Sequence, residues 1–263
     1  MIGIIGAGNM GKAIALRINQ RILISDVDTA KLRFKKNKRI SITRDNIGLT
    51  KRSKVIILAV KPQHIAGVLK EIRPYIKNKL IISIAAGVET ALIEKILGRV
   101  RVVRVMPNMP ALVGKGISAI AIGRFAPRKD SDITRRIFLN LGEVVEIKES
   151  LMDAVTAVSG SGPAYYFLFT DILKKAGQTS GLEESLAGEL ARATFIGAAR
   201  CAGATDISMR DFVKKVASKG GTTEAALGVF KQKGLERVVK QAVRAALNRS
   251  NYLTKLVKQS GSK

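Results

Sequence analysis

The 263-residue sequence has little of several residue types that proteins use for cross-linking and catalysis. Cys201 is its single cysteine, which excludes an intrachain disulfide and any zinc site built on several cysteines. His64 is its single histidine, which excludes mechanisms that need two histidines and metal sites rich in histidine. We therefore predict that the protein has no metal site.

Long apolar runs are also missing. The densest run, residues 55–60, falls well short of the roughly 18 apolar residues that a membrane helix needs, so it predicts a buried strand and no membrane association. The first predicted strand directly follows Met1 and leaves no room for a signal peptide. We expect a cytoplasmic protein.

Acidic residues are few relative to basic ones: the sequence has 20 Asp and Glu but 46 Lys and Arg, which gives a net charge of +26. Such a field attracts anions, whether nucleic acids, phosphorylated cofactors or small carboxylates. The simplest interpretation is a solvated surface rich in Lys and Arg. No zinc-finger, RNA-recognition or helix-turn-helix signature accompanies the charge, so a non-catalytic nucleic-acid-binding protein is the less favoured alternative.

The two parts of the chain carry different secondary-structure patterns. Over residues 1–150, apolar runs rich in β-branched residues alternate with helical patterns, which predicts βαβ units and a mainly parallel, doubly wound sheet. Residues 151–263 show helical patterns only, and small residues such as Ala187, Gly188 and Ala191 suit close packing within a bundle or against a second copy. We predict an α/β domain over 1–150 and an all-helical domain over 151–263. Predicted strands begin at residues 2, 22, 55, 80, 102, 117 and 144.

A glycine-rich segment follows the first predicted strand and opens a helix. The G-x-G-x-x-G pattern consists of Gly6, Ala7, Gly8, Asn9, Met10 and Gly11. In this context the glycines allow the backbone to approach a pyrophosphate that lies at the helix N-terminus. The pattern predicts a dinucleotide cofactor in a Rossmann domain, and its alternative is a glycine turn without a ligand.

The residues after the second predicted strand bear on the choice of cofactor. Asp26 lies 20 residues beyond the first glycine, where a carboxylate binds a ribose hydroxyl and repels a 2′-phosphate, as in NAD sites. The following basic residues offer a 2′-phosphate opposite charges. We expect NADPH to be favoured, with NADH also used. The basic residues are Lys31, Arg33, Lys35, Lys36, Lys38 and Arg39.

Three segments at predicted strand ends add candidate ligand contacts, because ligands of open parallel sheets bind at the carboxyl edge. In the two segments around Ala85 and Asn108, small and proline residues let a flat nicotinamide ring lie against the sheet, although tight turns alone need the same residues. Lys61 faces either a cofactor, an anionic substrate or solvent. The candidate residues are Ala59, Val60, Lys61 and Pro62, then Ala85 and Ala86, and finally Asn108.

A second glycine-rich segment, residues 218–223, precedes a helix in the second part of the chain. Glycines followed by threonines expose backbone N–H groups that suit a carboxylate, and the threonine hydroxyls add neutral donors. The alternative is an ordinary capped loop between two helices. The candidate substrate residues are Gly220, Gly221, Thr222 and Thr223.

Taken in order, these motifs resemble the pyrroline-5-carboxylate reductase family over nearly the whole chain. The resemblance implies a Rossmann domain followed by a helical dimerisation domain, and a homodimer whose further assembly stays open. It implies NAD(P)H-dependent reduction of 1-pyrroline-5-carboxylate to L-proline, the last step of proline biosynthesis. Another Rossmann two-domain dehydrogenase or imine reductase is the alternative. A β-hydroxyacid dehydrogenase needs a lysine early in the first long helix, and residues 162–173 contain none.

The resemblance also assigns site residues. The adenosine-side asparagine of the family corresponds to Asn46, and the lysine of its strand-end motif to Lys61. The threonine that bonds the substrate nitrogen corresponds to Thr223, the predicted catalytic residue. Three departures stand out: Lys219 replaces a usual proline, Val27 replaces a frequent arginine, and the first helix, between Gly11 and Ile22, is short.

Overall fold

The computed structural model describes residues 1–34 and 37–260. Contacts divide the chain into two compact units. The sheet unit comprises Met1–Ser161 and the chain from Ala245 onward, and the helical unit comprises Gly162–Arg244. The compact units therefore separate 11 residues beyond the predicted domain boundary at residue 150, and the end of the chain packs with the sheet unit rather than with the helices. The functional division at residue 150 stays a prediction.

The described part of the sheet unit contains an eight-stranded sheet of order β3-β2-β1-β4-β5-β6-β7-β8. Neighbouring strands are parallel except β6 and β7, which are antiparallel. The order of the first six strands is that of doubly wound dinucleotide-binding folds, so the predicted fold class is confirmed. The strands are β1 (Ile2–Ile5), β2 (Ile22–Ser25), β3 (Ile40–Thr43), β4 (Val55–Leu58), β5 (Leu80–Ser83), β6 (Arg101–Pro107), β7 (Gly116–Ile122) and β8 (Gly142–Glu146).

Two layers of helices cover the sheet because neighbouring strand residues point to opposite faces. Ile4 belongs to the apolar cluster under α1 and α5, whereas the adjacent Ile5 belongs to the cluster under α2, α3 and α4. Both faces of the central strands are buried, which explains their continuous apolar sequence. The helices of this unit are α1 (Asn9–Arg17), α2 (Asn46–Arg52), α3 (Ile65–Ile72), α4 (Thr90–Leu97), α5 (Arg128–Phe138) and α6 (Met152–Val155).

The predicted all-helical second part is confirmed as well. Four helices and the start of a fifth form the helical unit, and the fifth ends in the sheet unit. Among the described residues, none of the helices has the length and apolar character to cross a membrane. The helices are α7 (Gly162–Thr179), α8 (Glu184–Ala204), α9 (Met209–Val216), α10 (Thr222–Gln232) and α11 (Leu235–Ser260).

The last turns of α11 are fixed to the sheet unit by hydroxyl groups one helical turn apart. Ser250 and Thr254 both donate to Oδ1 of Asp153, at 2.7 and 3.2 Å. Gly87 has φ +72°, and a Cβ there would lie 3.3 Å from the Thr254 nitrogen. Close approach of α11 therefore explains this glycine without a ligand.

Candidate cofactor and substrate sites

The three glycines of the first motif have three different environments. Gly6 has φ +107°, and a Cβ there would lie 2.5 Å from the carbonyl oxygen of Ala59. A Cβ on Gly11 would lie 2.0 Å from the carbonyl oxygen of Gly6, so this glycine permits α1 to pack against the turn. A Cβ on Gly8 would meet no atom within 4 Å. The outer glycines are thus explained by packing, whereas Gly8 borders open space.

The N-terminus of α1 faces that open space with free donors. Gly8 is the N-cap, and among the described residues no side chain caps this helix. The N–H groups of Asn9, Met10 and Gly11 have no acceptor within the helix, since its first bond runs from Lys12 N to Gly8 O. Free N–H groups at a helix N-terminus bind phosphates, so the arrangement fits the pyrophosphate of a dinucleotide.

Asp26 braces the glycine turn from the end of β2. Its Oδ2 accepts from the backbone N–H of Ala7 at 2.8 Å, and its Oδ1 accepts from that of Asp28 at 2.9 Å. The Nζ of Lys31 lies 4.0 Å from Oδ1. Asp26 therefore has a local structural role, and its negative charge is partly compensated within the protein.

A cavity of about 600 Å³ lies at the carboxyl edge of the sheet beside the glycine turn. Of the predicted cofactor residues that do not line it, Ala7 and Gly11 are buried, Asn9 and Met10 lie in the first turn of α1, and Pro62 begins a short 3₁₀ helix. The structure thus brings together the predicted cofactor residues of the first glycine motif, Asp26, Asn46 and residues 59–62. The predicted residues that line the cavity are Gly6, Gly8, Asp26, Asn46, Ala59, Val60 and Lys61.

Asn46 is buried at the start of α2 and is held by two polar side chains. The hydroxyl of Ser25 donates to its Oδ1 at 2.7 Å, and its Nδ2 donates to Oε2 of Glu71 at 2.9 Å. This short network joins the end of β2 to α3 across the cavity wall.

One face of α3 and of the turn before it supplies cavity residues that the motif analysis missed. His64, Gly67, Val68 and Glu71 line the cavity at spacings of three and four residues. Such spacing places them on one side of a helix. The three- and four-residue spacing is visible in the sequence directly after the Lys61 motif, but these residues form no motif that indicates a ligand site.

The basic residues after β2 differ in what they reach. Lys31 lines the cavity. Arg39 is instead occupied elsewhere, because its Nη1 donates to the carbonyl of Ile18 and to Oδ1 of Asn19. Lys35 and Lys36 lie outside the described residues. Lys31 is therefore the basic residue of this run with a described place at the cavity.

The strand-end candidates Ala85, Ala86 and Asn108 are not among the residues that line this cavity. Ala85 is buried and Ala86 is exposed. Asn108 accepts from the backbone N–H of Ile117 at 3.0 Å and donates to the hydroxyl of Ser159 at 3.3 Å. These bonds give Asn108 a structural role, and the cofactor role of the three residues stays a prediction.

The predicted substrate segment precedes α10 in the helical unit. Gly220 has φ +72°, and its N–H donates to Oε2 of Glu224 at 2.6 Å. The N–H of Gly221, the N-cap of α10, donates to the carbonyl of Ser218. Thr222 and Thr223 begin the helix, so their N–H groups have no acceptor within it. The N–H groups of the segment that are available to a ligand are therefore those of the threonines rather than those of the glycines.

Comparison with known proteins decides the family. A family model for pyrroline-5-carboxylate reductase dimerisation matches residues 149–253, and one for NADP oxidoreductase, coenzyme F420-dependent, matches residues 1–87. The pyrroline-5-carboxylate reductase of Haemophilus influenzae is 37% identical over 97% of this chain and 98% of its own. The chain belongs to the pyrroline-5-carboxylate reductase family.

Solved structures of pyrroline-5-carboxylate reductases agree with this assignment. The protein from Coxiella burnetii is 35% identical with a TM-score of 0.90, and covers 96% of this chain and 97% of its own. The protein from Plasmodium falciparum, solved with NADP bound, is 31% identical with a TM-score of 0.84 over 96% and 97% of the two chains. The resemblance inferred from the motifs is confirmed, and it includes both units of the reductase.

Proposed function

We propose that the chain catalyses the NAD(P)H-dependent reduction of 1-pyrroline-5-carboxylate to L-proline, the last step of proline biosynthesis. The observation that carries the proposal is the open space at Gly8, in front of the uncapped N-terminus of α1, in a member of this family. The bound cofactor supplies a hydride to the imine carbon. The C=N bond becomes a C–N bond, and the nitrogen keeps the proton that it gained from water before binding.

In this proposal the residues of the chain orient the substrate and do not act as acid catalysts. No histidine occurs in residues 151–263, which excludes general-acid catalysis by histidine there, and the imine is protonated in water before it binds. The free N–H groups of Thr222 and Thr223 bind the substrate carboxylate at the N-terminus of α10. The hydroxyl of Thr223 accepts a hydrogen bond from the ring nitrogen. Lys61, which is exposed at the sheet edge, adds a positive charge for the anionic ligands.

Thr223→Val is expected to lower kcat/KM for pyrroline-5-carboxylate by about tenfold, because it removes one hydrogen bond to the substrate. Thr223→Ser keeps the hydroxyl and is expected to stay within about threefold of the wild type. Steady-state kinetics of both variants tests the assignment. Equal activity of Thr223→Val and the wild type would contradict the assignment of the Thr223 hydroxyl to the substrate site.

We propose that NADPH is favoured over NADH and that Lys31 contributes to this preference. Lys31 lines the cavity beside Asp26, whose charge already has two backbone N–H partners. A 2′-phosphate at this position gains an opposite charge from Lys31, whereas a ribose hydroxyl gains little.

Lys31→Ala is expected to raise KM for NADPH by about five- to tenfold and to change KM for NADH by less than about twofold. Lys70→Ala, on the exposed surface of α3, is the control for the change in net charge. An equal effect on both cofactors, or a wild-type preference for NADH of about tenfold, would contradict the proposal. Asp26→Ala is a less clean probe, because it also removes the acceptor of the Ala7 N–H.

We further propose that the reductase is a homodimer through its helical unit. Residues 166–169, Tyr-Phe-Leu-Phe, are all exposed on α7, and Leu186 and Leu190 are exposed on α8. Exposed apolar surface of this extent is typical of an interface. We expect light scattering at micromolar concentration to give a dimer or a multiple of it. A well-folded monomer would contradict the proposal.

The central test of the function is a set of initial rates with pyrroline-5-carboxylate and either NADPH or NADH. We expect substrate-dependent oxidation of both cofactors, faster at low NADPH than at low NADH. Oxidation of neither cofactor would overturn the assignment. We propose a cytoplasmic location for the enzyme, and cell fractionation tests it.

A further inference from the structure

We propose that Glu71 is a positioning residue for the cofactor, acting through Asn46. The carboxylate of Glu71 holds the amide of Asn46 in one orientation, so that the amide presents a donor to the adenosine half of a nicotinamide dinucleotide. The inference rests on the proposed function in that it places such a dinucleotide in the cavity beside Gly8.

The hydrogen-bond network permits one orientation of the Asn46 amide. An ionised carboxylate only accepts hydrogen bonds, so the atom of Asn46 at 2.9 Å from Glu71 must be the donor Nδ2. Oδ1 is then directed at Ser25, whose hydroxyl donates to it at 2.7 Å. Ser25 alone does not fix the amide, because a hydroxyl both donates and accepts. Glu71 is therefore the residue that decides which way the amide faces.

Asn46 retains one unused donor at the cavity. The residue is only 8% exposed, yet it lines the cavity together with Glu71. Nδ2 carries two N–H groups, and Glu71 takes one of them. Among the described residues the other N–H has no acceptor within hydrogen-bond distance. A buried N–H without a partner is unfavourable, and a ligand oxygen in the cavity would satisfy it.

The start of α2 does not need this network. Asp45 is the N-cap of the helix, and its Oδ1 accepts from the N–H of Gly48 at 2.8 Å. The side chain of Asn46 thus makes no capping contact of its own. Glu71 is itself exposed on α3, so little apolar burial depends on it. Binding of a ligand in the cavity accounts for the position of the Asn46 amide and for its orientation by Glu71.

The test compares Glu71→Ala with Glu71→Gln, whose side chain still holds Asn46 by a hydrogen bond but permits two orientations of its amide, which costs at most about twofold in affinity. Glu143→Ala, at an exposed position of β8, is the control for loss of a carboxylate. Dissociation constants for NADPH come from titration of cofactor fluorescence, and kcat and KM come from steady-state rates. We expect Glu71→Ala to weaken NADPH binding by about five- to tenfold with kcat within about twofold. Glu71→Gln and Glu143→Ala should stay within about twofold of the wild type.

Asn46→Ala provides a second test, which distinguishes an effect of Glu71 through Asn46 from a general effect of Glu71→Ala on folding. In an Asn46→Ala background, replacing Glu71 with alanine should not weaken NADPH binding further, because the side chain it positions is gone. Wild-type affinity in Glu71→Ala, or an additive loss in the double variant, would overturn the inference. Equal losses in Glu71→Gln and Glu71→Ala would also overturn it.

The same titration separates this inference from the proposed function. A wild-type chain that binds NADPH but does not reduce pyrroline-5-carboxylate would contradict the proposed reaction, while the comparison of Glu71 variants still decides the role of Glu71. A wild-type chain that binds neither NADPH nor NADH would contradict both.

Discussion

Gly8→Asp is expected to weaken NADPH binding by about 100-fold or more without lowering the melting temperature. A Cβ at Gly8 meets no atom within 4 Å, and the residue has extended backbone angles, so aspartate fits there without strain. Aspartate is also a good N-cap, worth about 1 kcal/mol. Its carboxylate would bind the free N–H groups of α1 and repel the pyrophosphate that needs them. Fluorescence titration measures the affinity, and calorimetry measures the melting temperature.

Gln20→Glu serves as the charge-matched control, since Gln20 is exposed and does not line the cavity. It is expected to bind NADPH within about twofold of the wild type, because an exposed charge at a distance is screened by salt. Wild-type affinity in Gly8→Asp would show that the pyrophosphate does not bind at the N-terminus of α1.

Gly11→Ala is expected to lower the free energy of unfolding by about 3 kcal/mol, the cost of overpacking a close contact. The added methyl would lie 2.0 Å from the carbonyl oxygen of Gly6 and 3.3 Å from the Cβ of Ala59. The backbone of the turn or the first turn of α1 must therefore move. Urea denaturation of the purified variant measures the change.

Gly67→Ala is the matched control for this substitution. Gly67 also lies within a helix, α3, but a Cβ there meets no atom within 4 Å. Alanine at an unstrained helical position stabilises a protein by up to about 1 kcal/mol. Opposite signs for Gly11→Ala and Gly67→Ala are expected. A destabilisation of similar size in both variants would contradict the packing role of Gly11.

The fold was largely predictable because buried parallel strands carry continuous apolar runs. Strands β1 and β2 begin at the predicted residues 2 and 22, and α7–α11 lie in the part of the chain predicted to be helical. Strand β3 was missed because this edge strand is only half covered and alternates Ile with Ser and Thr. The antiparallel direction of β7 was also missed, although its connection to β6, residues 108–115, is shorter than a parallel crossover requires.

The candidate sites were predictable where backbone geometry determines them. They were less predictable where a side chain of the protein competes with a ligand for the same N–H group. Glycine spacing after a strand predicts the turn at residues 6–11, since few other residues permit it. The hydrogen bond from the Gly220 N–H to Glu224 depends on the rotamer of Glu224, which a sequence motif does not specify. Glu71 reaches Asn46 from 25 residues away, through the packing of α3 beside α2. Such a pair follows from tertiary structure and not from local sequence.

Transfer of deuterium from the cofactor to proline tests the central claim most directly. NADPH labelled at C4 of the nicotinamide, incubated with the enzyme and pyrroline-5-carboxylate, is expected to give L-proline with one deuterium at C5 from one of the two C4 positions. Mass spectrometry locates the label, and the reaction without enzyme is the control. Unlabelled proline from cofactor labelled at both positions, or no proline at all, would contradict the account.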